Sequence, residues 1–223
     1  MHNIPDLYQE WLTLQPFSEK KERDINQQFL VDVNYNSNHL EGNRLTYGQC
    51  RLLLLFGDTM GNAKMQDYEE MKAHNVGLEW MKAIAKDKDT LLSEVFIREL
   101  NKIILVRDFY KTSYDGEYRY QIKVGTYKTR PNSVITSTGE LFDYASLEET
   151  VQLMGDLVQW YCAEEQKGKL KPEELAARFH YRYVRIHPFE DGNGRIARLL
   201  VNYILLCHNY PMIVIRTDDR DNY

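Results

Sequence analysis

Apolar side chains recur along most of this chain at helical rather than strand intervals. Ile25, Phe29, Val33 and Leu40 fall near one face of a long polar stretch, and their spacing predicts a helix over 22–41. Thr46 followed by Gln49 reads as a capping box ahead of the apolar run Leu52–Phe56. Asp67 to Lys86 carries Met71, Val76, Leu78, Trp80 and Met81, a second helical pattern. Ser93 is placed to cap a helix holding Val95, Phe96, Leu100, Ile103 and Ile104. The texture changes over 112–144, where Gly, Thr, Ser and Asn accumulate. There Val134-Ile135-Thr136 and Leu141-Phe142 flank Ser137-Thr138-Gly139-Glu140, which predicts a hairpin. Helix resumes over Leu147–Cys162. Pro172-Glu173-Glu174 then opens another that should run to about Ile186, since proline suits a first turn and acids suit its positive end. The expectation is one mainly α domain with a small β-hairpin.

The final helical pattern raises a chemical question. Ile196, Leu199, Leu200, Tyr203 and Cys207 share one face, while Arg195, Arg198 and Asn202 share another. Two cations in the first turns oppose the helix dipole, at about 0.3–1 kcal/mol each. A bound anion reverses that sign. Gly192-Asn193-Gly194 comes just before, where free N–H groups and small residues allow close approach to phosphate. Asp191 adds an oxygen ligand suited to Mg²⁺, which commonly takes one or two carboxylates plus phosphate oxygens. His187, with an ordinary pKa near neutrality, is a candidate base. Phe189 between them reads as the packing residue that holds the loop. Together these residues point to a nucleotide-triphosphate site in which a histidine activates a hydroxyl. The stretch lacks both the GK[ST] ending of a Walker loop and the spacing of a dinucleotide fingerprint.

Composition narrows the partners. Hydrophobic residues at 43% and charged residues at 27% describe an ordinary globular chain. A net charge of −5 argues against binding nucleic acid by bulk charge. Cys50, Cys162 and Cys207 are odd in number and lack metal-ligand spacing, which favours a reducing compartment. No basic-then-apolar leader opens the chain and no apolar run can span a bilayer, so a cytoplasmic protein is expected. Trp11, Trp80 and Trp160 read as packing residues, His180 as a core or helix-surface histidine. His39 and His74 have no partners at metal spacing.

HPFEDGNGRIAR, residues 187–198, resembles the signature of the Fic family, HxFx[DE]GNGRxxR, and every fixed position matches. Members with this intact form typically transfer AMP from ATP to a Tyr, Ser or Thr hydroxyl of a target protein, releasing pyrophosphate. The resemblance implies a Fic-type helical bundle. It makes His187 the base that deprotonates the target hydroxyl and gives Mg²⁺ to Asp191. Gly192, Asn193 and Gly194 would cradle the phosphates, Arg195 would contact them, and Arg198 would bind the γ-phosphate.

YNSNHLEGNRLT, residues 35–46, is similar to the family's inhibitory helix pattern [ST]xxxE[GN], with Ser37, Glu41 and Gly42 in register. It implies the class with an N-terminal brake, in which Glu41 pairs with Arg198 and keeps it from the γ-phosphate. In some relatives that glutamate also supports removal of AMP. Residues 124–142 resemble the flap hairpin that aligns an extended target segment by strand addition. The flap gives Lys128, Thr129, Arg130, Pro131, Asn132, Ser133 and Val134 as target-facing candidates, with Lys128 where relatives often have arginine.

The implied organisation is a single Fic domain over 1–223. It comprises an N-terminal helical segment (1–32), the inhibitory motif (33–46), the flap region (112–144) and the catalytic loop and helix (187–207). Arg220 and Tyr223 match the start of an RxxYYxxL segment that continues in relatives. The adenine pocket is therefore expected to need a C-terminal continuation or other residues. Two alternatives stay open: transfer of phosphate or phosphocholine by the same fold, and a non-catalytic nucleotide-binding module. The residues set no oligomeric state, and a homodimer is one arrangement open to the chain.

Overall fold

In the computed structural model, which describes residues 4–87, 91–113, 115–135 and 139–222, the apolar intervals resolve into helices. The first two are α1 (Ile4–Thr13) and α2 (Glu19–His39), followed by α3 (Tyr47–Phe56), α4 (Met65–Ala85) and α5 (Glu94–Leu105). Two antiparallel hairpins come next, β1 (Phe109–Thr112) with β2 (Arg119–Ile122), then β3 (Ser133–Ile135) with β4 (Leu141–Asp143). The chain closes with α6 (Leu147–Lys167), α7 (Pro172–Ile186), α8 (Asn193–Cys207) and a 3-10 turn, Thr217–Asn222. No helix among the described residues is long and apolar enough to cross a membrane.

Local chemistry explains these boundaries. Thr46 and Gln49 form the expected capping box of α3, and Ser93 accepts from Phe96 N at the start of α5. Pro172 opens α7 in its first turn, and the helix ends at Ile186 as its spacing predicts. The 1–32 segment is not one helix: Ser18 caps α2, with Glu19 and Glu22 in its first turn, and separates it from α1. The β region holds a second hairpin that the pattern did not announce. Strands of four residues, with alternating burial along Phe109–Thr112, carry too little periodicity to stand out. In the expected hairpin, Val134 pairs with Phe142 and Ile135 with Leu141. Thr136, Ser137 and Thr138 lie outside the described residues, as does Tyr223.

The core gathers around α8, whose residues from Arg195 to Leu205 are all buried. It packs on α7, α4, α2 and α5, so apolar side chains on every face have somewhere to go. Three polar residues, Arg195, Arg198 and Asn202, ride in this buried stretch and each needs a partner. Asn202 finds one in the returning chain: its amide donates to Ile213 O (3.1 Å) and accepts from Ile213 N (2.8 Å). The face shared by Arg195, Arg198 and Asn202 therefore splits in use.

The polar side of α2 is also buried, with Asn34, Ser37 and Asn38 inside. Asn34 meets His74 Nδ1 on α4 at 2.7 Å and donates to Leu30 O. Gly42 then stops the helix. At φ 92° it takes the left-handed position, Gly42 N donates to His39 O and Asn43 N to Asn38 O. That six-residue closure fixes Glu41 at the helix end, one turn beyond Ser37.

Asn202→Ala would remove both hydrogen bonds that hold the Ile213 N–H and carbonyl. It should lower unfolding stability by about 1–3 kcal/mol, read as a lower urea midpoint at unchanged slope.

Candidate active site

The catalytic-loop candidate starts where α7 stops. Pro188 cannot continue a helix, and His187 turns into the left-handed region at φ 51° while its N–H still bonds to Tyr183 O. A non-glycine residue held there costs of order 1 kcal/mol, so the surrounding contacts must impose it. Lys128 Nζ donates to the Ile186 carbonyl (3.0 Å) and Lys128 N to the Pro188 carbonyl (2.8 Å). Tyr144 stacks on the imidazole with ring centres 3.9 Å apart.

Farther along, Asn193 turns its amide back on the loop. It donates to Phe189 O (2.7 Å) and accepts from Phe189 N (3.0 Å). Phe189 itself is fully buried against Tyr127, the anchoring role its type suggests. Asn101 of α5 donates to Asp191 O and accepts from Gly125 N.

These ties leave a small cavity of about 370 Å³, bordered by His187, Asp191, Gly192, Asn193, Gly194 and Arg198, with Glu41, Lys111 and Tyr144 at its edge. A larger cavity of about 580 Å³ beside α1 is almost wholly apolar and brings no comparable set of converging polar groups. The smaller one has chemistry. Gly192 precedes α8 with no side-chain cap, and the first intrahelical bond is Ile196 N to Gly192 O. The backbone N–H groups of Asn193, Gly194 and Arg195 therefore come before the helix ladder begins, as at an anion-binding terminus. What Asn193 offers the cavity is this backbone group, since its side chain serves the loop.

Charge is balanced inside the site. Arg198 is buried, its Nε donating to Ser37 Oγ (3.0 Å) and its Nη2 to Ser37 O and Glu41 Oε1 (both 2.7 Å). A Cβ built on Gly194 would collide with the Glu41 carboxylate, so that glycine makes room for the pair. Asp191 receives Lys111 on Oδ2 and Arg195 on Oδ1. Burial pushes its pKa up, but the Lys111 ammonium and Arg195 outweigh this and hold it below the usual carboxylate range. It is ionised at neutral pH.

His187 moves the other way. Burial and the nearby Lys128 ammonium push it down to about 4, so the imidazole is neutral and able to accept a proton. Its Nδ1 is buried with no well-formed hydrogen bond, and the Val184 carbonyl is the backbone group that acts on it. His180, two turns back on α7, also borders the cavity and is pushed down to about 4 by burial and Arg198.

The flap candidates divide. Lys128 is buried beneath the His187 loop. Thr129 gives both N and Oγ1 to Glu190, and Asn132 donates to Phe189 O. Arg130 lies over the rings of Tyr118 and Tyr120 on the first hairpin. Residues 128–132 are thus a strap along the catalytic loop; Ser133 and Val134 belong to the projecting hairpin, where both are exposed. Lys111, Asn101, Tyr144 and His180 went unread as site residues. Each sits far from the signature in sequence or on an ordinary-looking element.

No cluster of three or more metal-binding side chains occurs among the described residues. One ionised carboxylate suits Mg²⁺ that arrives with a phosphate ligand, because such ions keep waters and phosphate oxygens in most positions. Arg195 Nε, buried without an acceptor, is a further donor left over beside it.

Comparison with known proteins agrees with this geometry. Residues 91–205 match the Fic/DOC family. The chain is 28% identical over 189 residues to the protein adenylyltransferase Fic of Nematostella vectensis, covering 85% of this chain and 40% of that protein. It is 26% identical over 226 residues to the protein adenylyltransferase fic-1 of Caenorhabditis elegans, covering 100% and 40%. It thus spans about 40% of the length of these curated relatives. Among solved structures it resembles a Fic domain containing signaling protein from Bacteroides thetaiotaomicron, at 59% identity and a TM-score of 0.89. That match covers all of this chain and 79% of the other. Fic-1 from C. elegans superposes with a TM-score of 0.73 at 26% identity, over 99% of this chain and 60% of that one. With the signature, the helical architecture and these matches in agreement, the chain belongs to the Fic/DOC family.

Proposed function

We propose that this chain is an autoinhibited protein adenylyltransferase, using ATP as substrate and Mg²⁺ as cofactor. The observation that carries the reading is the grip of Ser37 and Glu41 on Arg198, across 157 residues of sequence, at the mouth of the α8 terminus. The relatives named as protein adenylyltransferases support the reaction class.

In the active arrangement the triphosphate lies over the N–H groups of Asn193, Gly194 and Arg195, with Arg198 on its γ-phosphate. Mg²⁺, held by Asp191 and phosphate oxygens, would supply charge neutralisation for the departing pyrophosphate. The target's hydroxyl oxygen attacks the α-phosphorus, the bond to the bridging oxygen breaks, and His187 takes the hydroxyl proton. Positioning and charge do most of the remaining work, as in phosphoryl transfer generally. The exposed β3–β4 hairpin is the element suited to align an extended target segment by strand addition.

The brake is a competition for one guanidinium. While Glu41 accepts from Arg198 Nη2, that donor is not offered to a phosphate. The segment 33–46 contributes as the last turns of α2 plus the Gly42 closure. A second direction, removal of AMP, is favoured by the same carboxylate: Glu41 borders the cavity and keeps 38% of its side chain exposed.

Incubation with α-labelled ATP and Mg²⁺ should give weak self-labelling, raised about tenfold or more by Glu41→Gly, equivalent to roughly 1.4 kcal/mol of barrier. His187→Ala in that background should cut the rate by about 10²-fold or more. Unchanged labelling in Glu41→Gly would remove the brake from the reading, and labelling that survives His187→Ala would remove the base. In a parallel incubation with γ-labelled ATP, retention of the γ label but not the α label would instead mean phosphate transfer.

The depressed His187 pKa sets a pH signature. Its base form is the working form, so activity is lost only as pH falls through the folded value. With the Glu41 carboxylate, which raises this pKa, removed, the acidic limb of the Glu41→Gly rate should lie at or below about pH 4, well below the ordinary histidine value. Lys128→Met removes a cation that lowers this pKa and should move the limb upward.

A further inference from the structure

Glu41 on Arg198 has an oppositely charged counterpart across the cavity. Lys111 Nζ lies 2.5 Å from Asp191 Oδ2 while Arg195 Nη2 lies 3.2 Å from Oδ1, so cations engage both oxygens of this carboxylate. The two cations differ in kind. Arg195 belongs to α8, one turn from Asp191, with 7% of its side chain exposed. Lys111 comes from β1, 80 residues earlier in the chain, and 43% of its side chain is exposed.

The hairpin that carries Lys111 has only two strands of four residues, a unit with little stability of its own. Ile122 of β2 anchors it in the core, Asp108, just before β1, accepts from Val124 N, and Tyr118 and Tyr120 hold Arg130 of the strap. Lys111 is therefore a half-exposed charge on a short hairpin, placed at the cavity edge.

We propose that Lys111 is the site's resident counter-cation: its ammonium fills the position beside Asp191 Oδ2 that a divalent cation would take, and the two exclude each other. This rests on the reading of Asp191 as the carboxylate for Mg²⁺. A metal–carboxylate bond of about 2.0–2.1 Å leaves no room for an ammonium donating to the same oxygen. Between a monovalent and a divalent cation a few ångströms apart the repulsion is substantial at the dielectric of a partly buried site. Binding the metal is then an exchange, in which Lys111 gives up Asp191 and remains over a cavity entered by polyphosphate. Both ligand-binding charges are thereby matched from within the chain. The hairpin β1–β2 acquires a function here: it sets how much divalent cation the site requires.

The test uses Mn²⁺ alone, titrated into the full chain and followed by paramagnetic broadening of the Gly192, Asn193 and Gly194 amide signals. Lys111→Met keeps most of the stem and removes the charge. Half-maximal broadening should occur at about tenfold lower Mn²⁺ than in the parent protein, and the gain should vanish in Lys111→Met combined with Asp191→Asn. A thermal melt checks that Lys111→Met folds, and Lys111→Arg, which restores a cation, should return the Mn²⁺ requirement toward the parent value. If Lys111→Met leaves the requirement unchanged or raises it while Asp191→Asn weakens binding, the counter-cation role is overturned and the Asp191 assignment stands. If Asp191→Asn alone leaves Mn²⁺ binding unaltered, both fall.

Discussion

A guanidinium cannot sit in the apolar centre of a helical bundle without acceptors to hold it. Arg198 is in that position, on a helix whose neighbours from Ile196 to Leu205 are all buried. Acceptors come from α2 and the turn that closes it: the Ser37 hydroxyl, the Ser37 carbonyl and the Glu41 carboxylate. Much else follows from this requirement. The buried face of α2 has to be polar where it meets α8, so Ser37 stands where a simple amphipathic pattern would place a leucine; Asn34 and Asn38 beside it face α4, through His74, Asn75 and Met71. The helix has to end just after Ser37's next turn, and Gly42 ends it. Gly194 has to lack a side chain, because the Glu41 carboxylate occupies that space.

The same demand for compensation organises the rest of the cavity. Asp191, desolvated, is kept ionised by Lys111 and Arg195. His187 has burial and a neighbouring ammonium against it and stays neutral, the form needed of a base. Lys128, which enforces both the loop's shape and that neutrality, is itself pushed down to about 8 by burial. It remains mostly protonated at neutral pH. One lysine thus couples the backbone geometry of residues 186–188 to the protonation of His187, and neither effect needs the side chain to touch substrate.

Much of this was legible from the residues. Caps and breakers act locally, which is why Thr46-Gln49, Ser93 and Pro172 marked helix starts well, and why α7 ends at Ile186. The signature at 187–198 is contiguous, so its residues had to lie together. The partners that complete the site are another matter. Asn101, Lys111 and Tyr144 reach it from other elements, and a lone asparagine in an amphipathic helix or a lysine in a short strand has no local mark. Lys128 and Asn132 count as flap residues only through the resemblance of 124–142 to the family's flap hairpin; their burial depends on tertiary packing that no period in the chain encodes. The split of 1–32 into two helices was hidden for a different reason. A polar stretch has weak hydrophobic periodicity, so neither its start nor its interruption was sharply marked.

On the proposed reading, the division of labour between Ser37 and Glu41 lets the brake be released without dismantling the core. Ser37 is 3% exposed and offers both hydroxyl and carbonyl, whereas the Glu41 side chain is 38% exposed at the cavity edge. An arginine that lost every acceptor would be left as an uncompensated buried charge, a change worth several kcal/mol. One that exchanges only its outer acceptor keeps two hydrogen bonds throughout. On the proposed reading the exchange is of one oxyanion for another, Glu41 for a phosphate, against a guanidinium whose inner contacts hold its orientation. The free-energy difference between restrained and active forms is then a difference between two similar interactions. That is small enough for a ligand, a partner or a single substitution to tip.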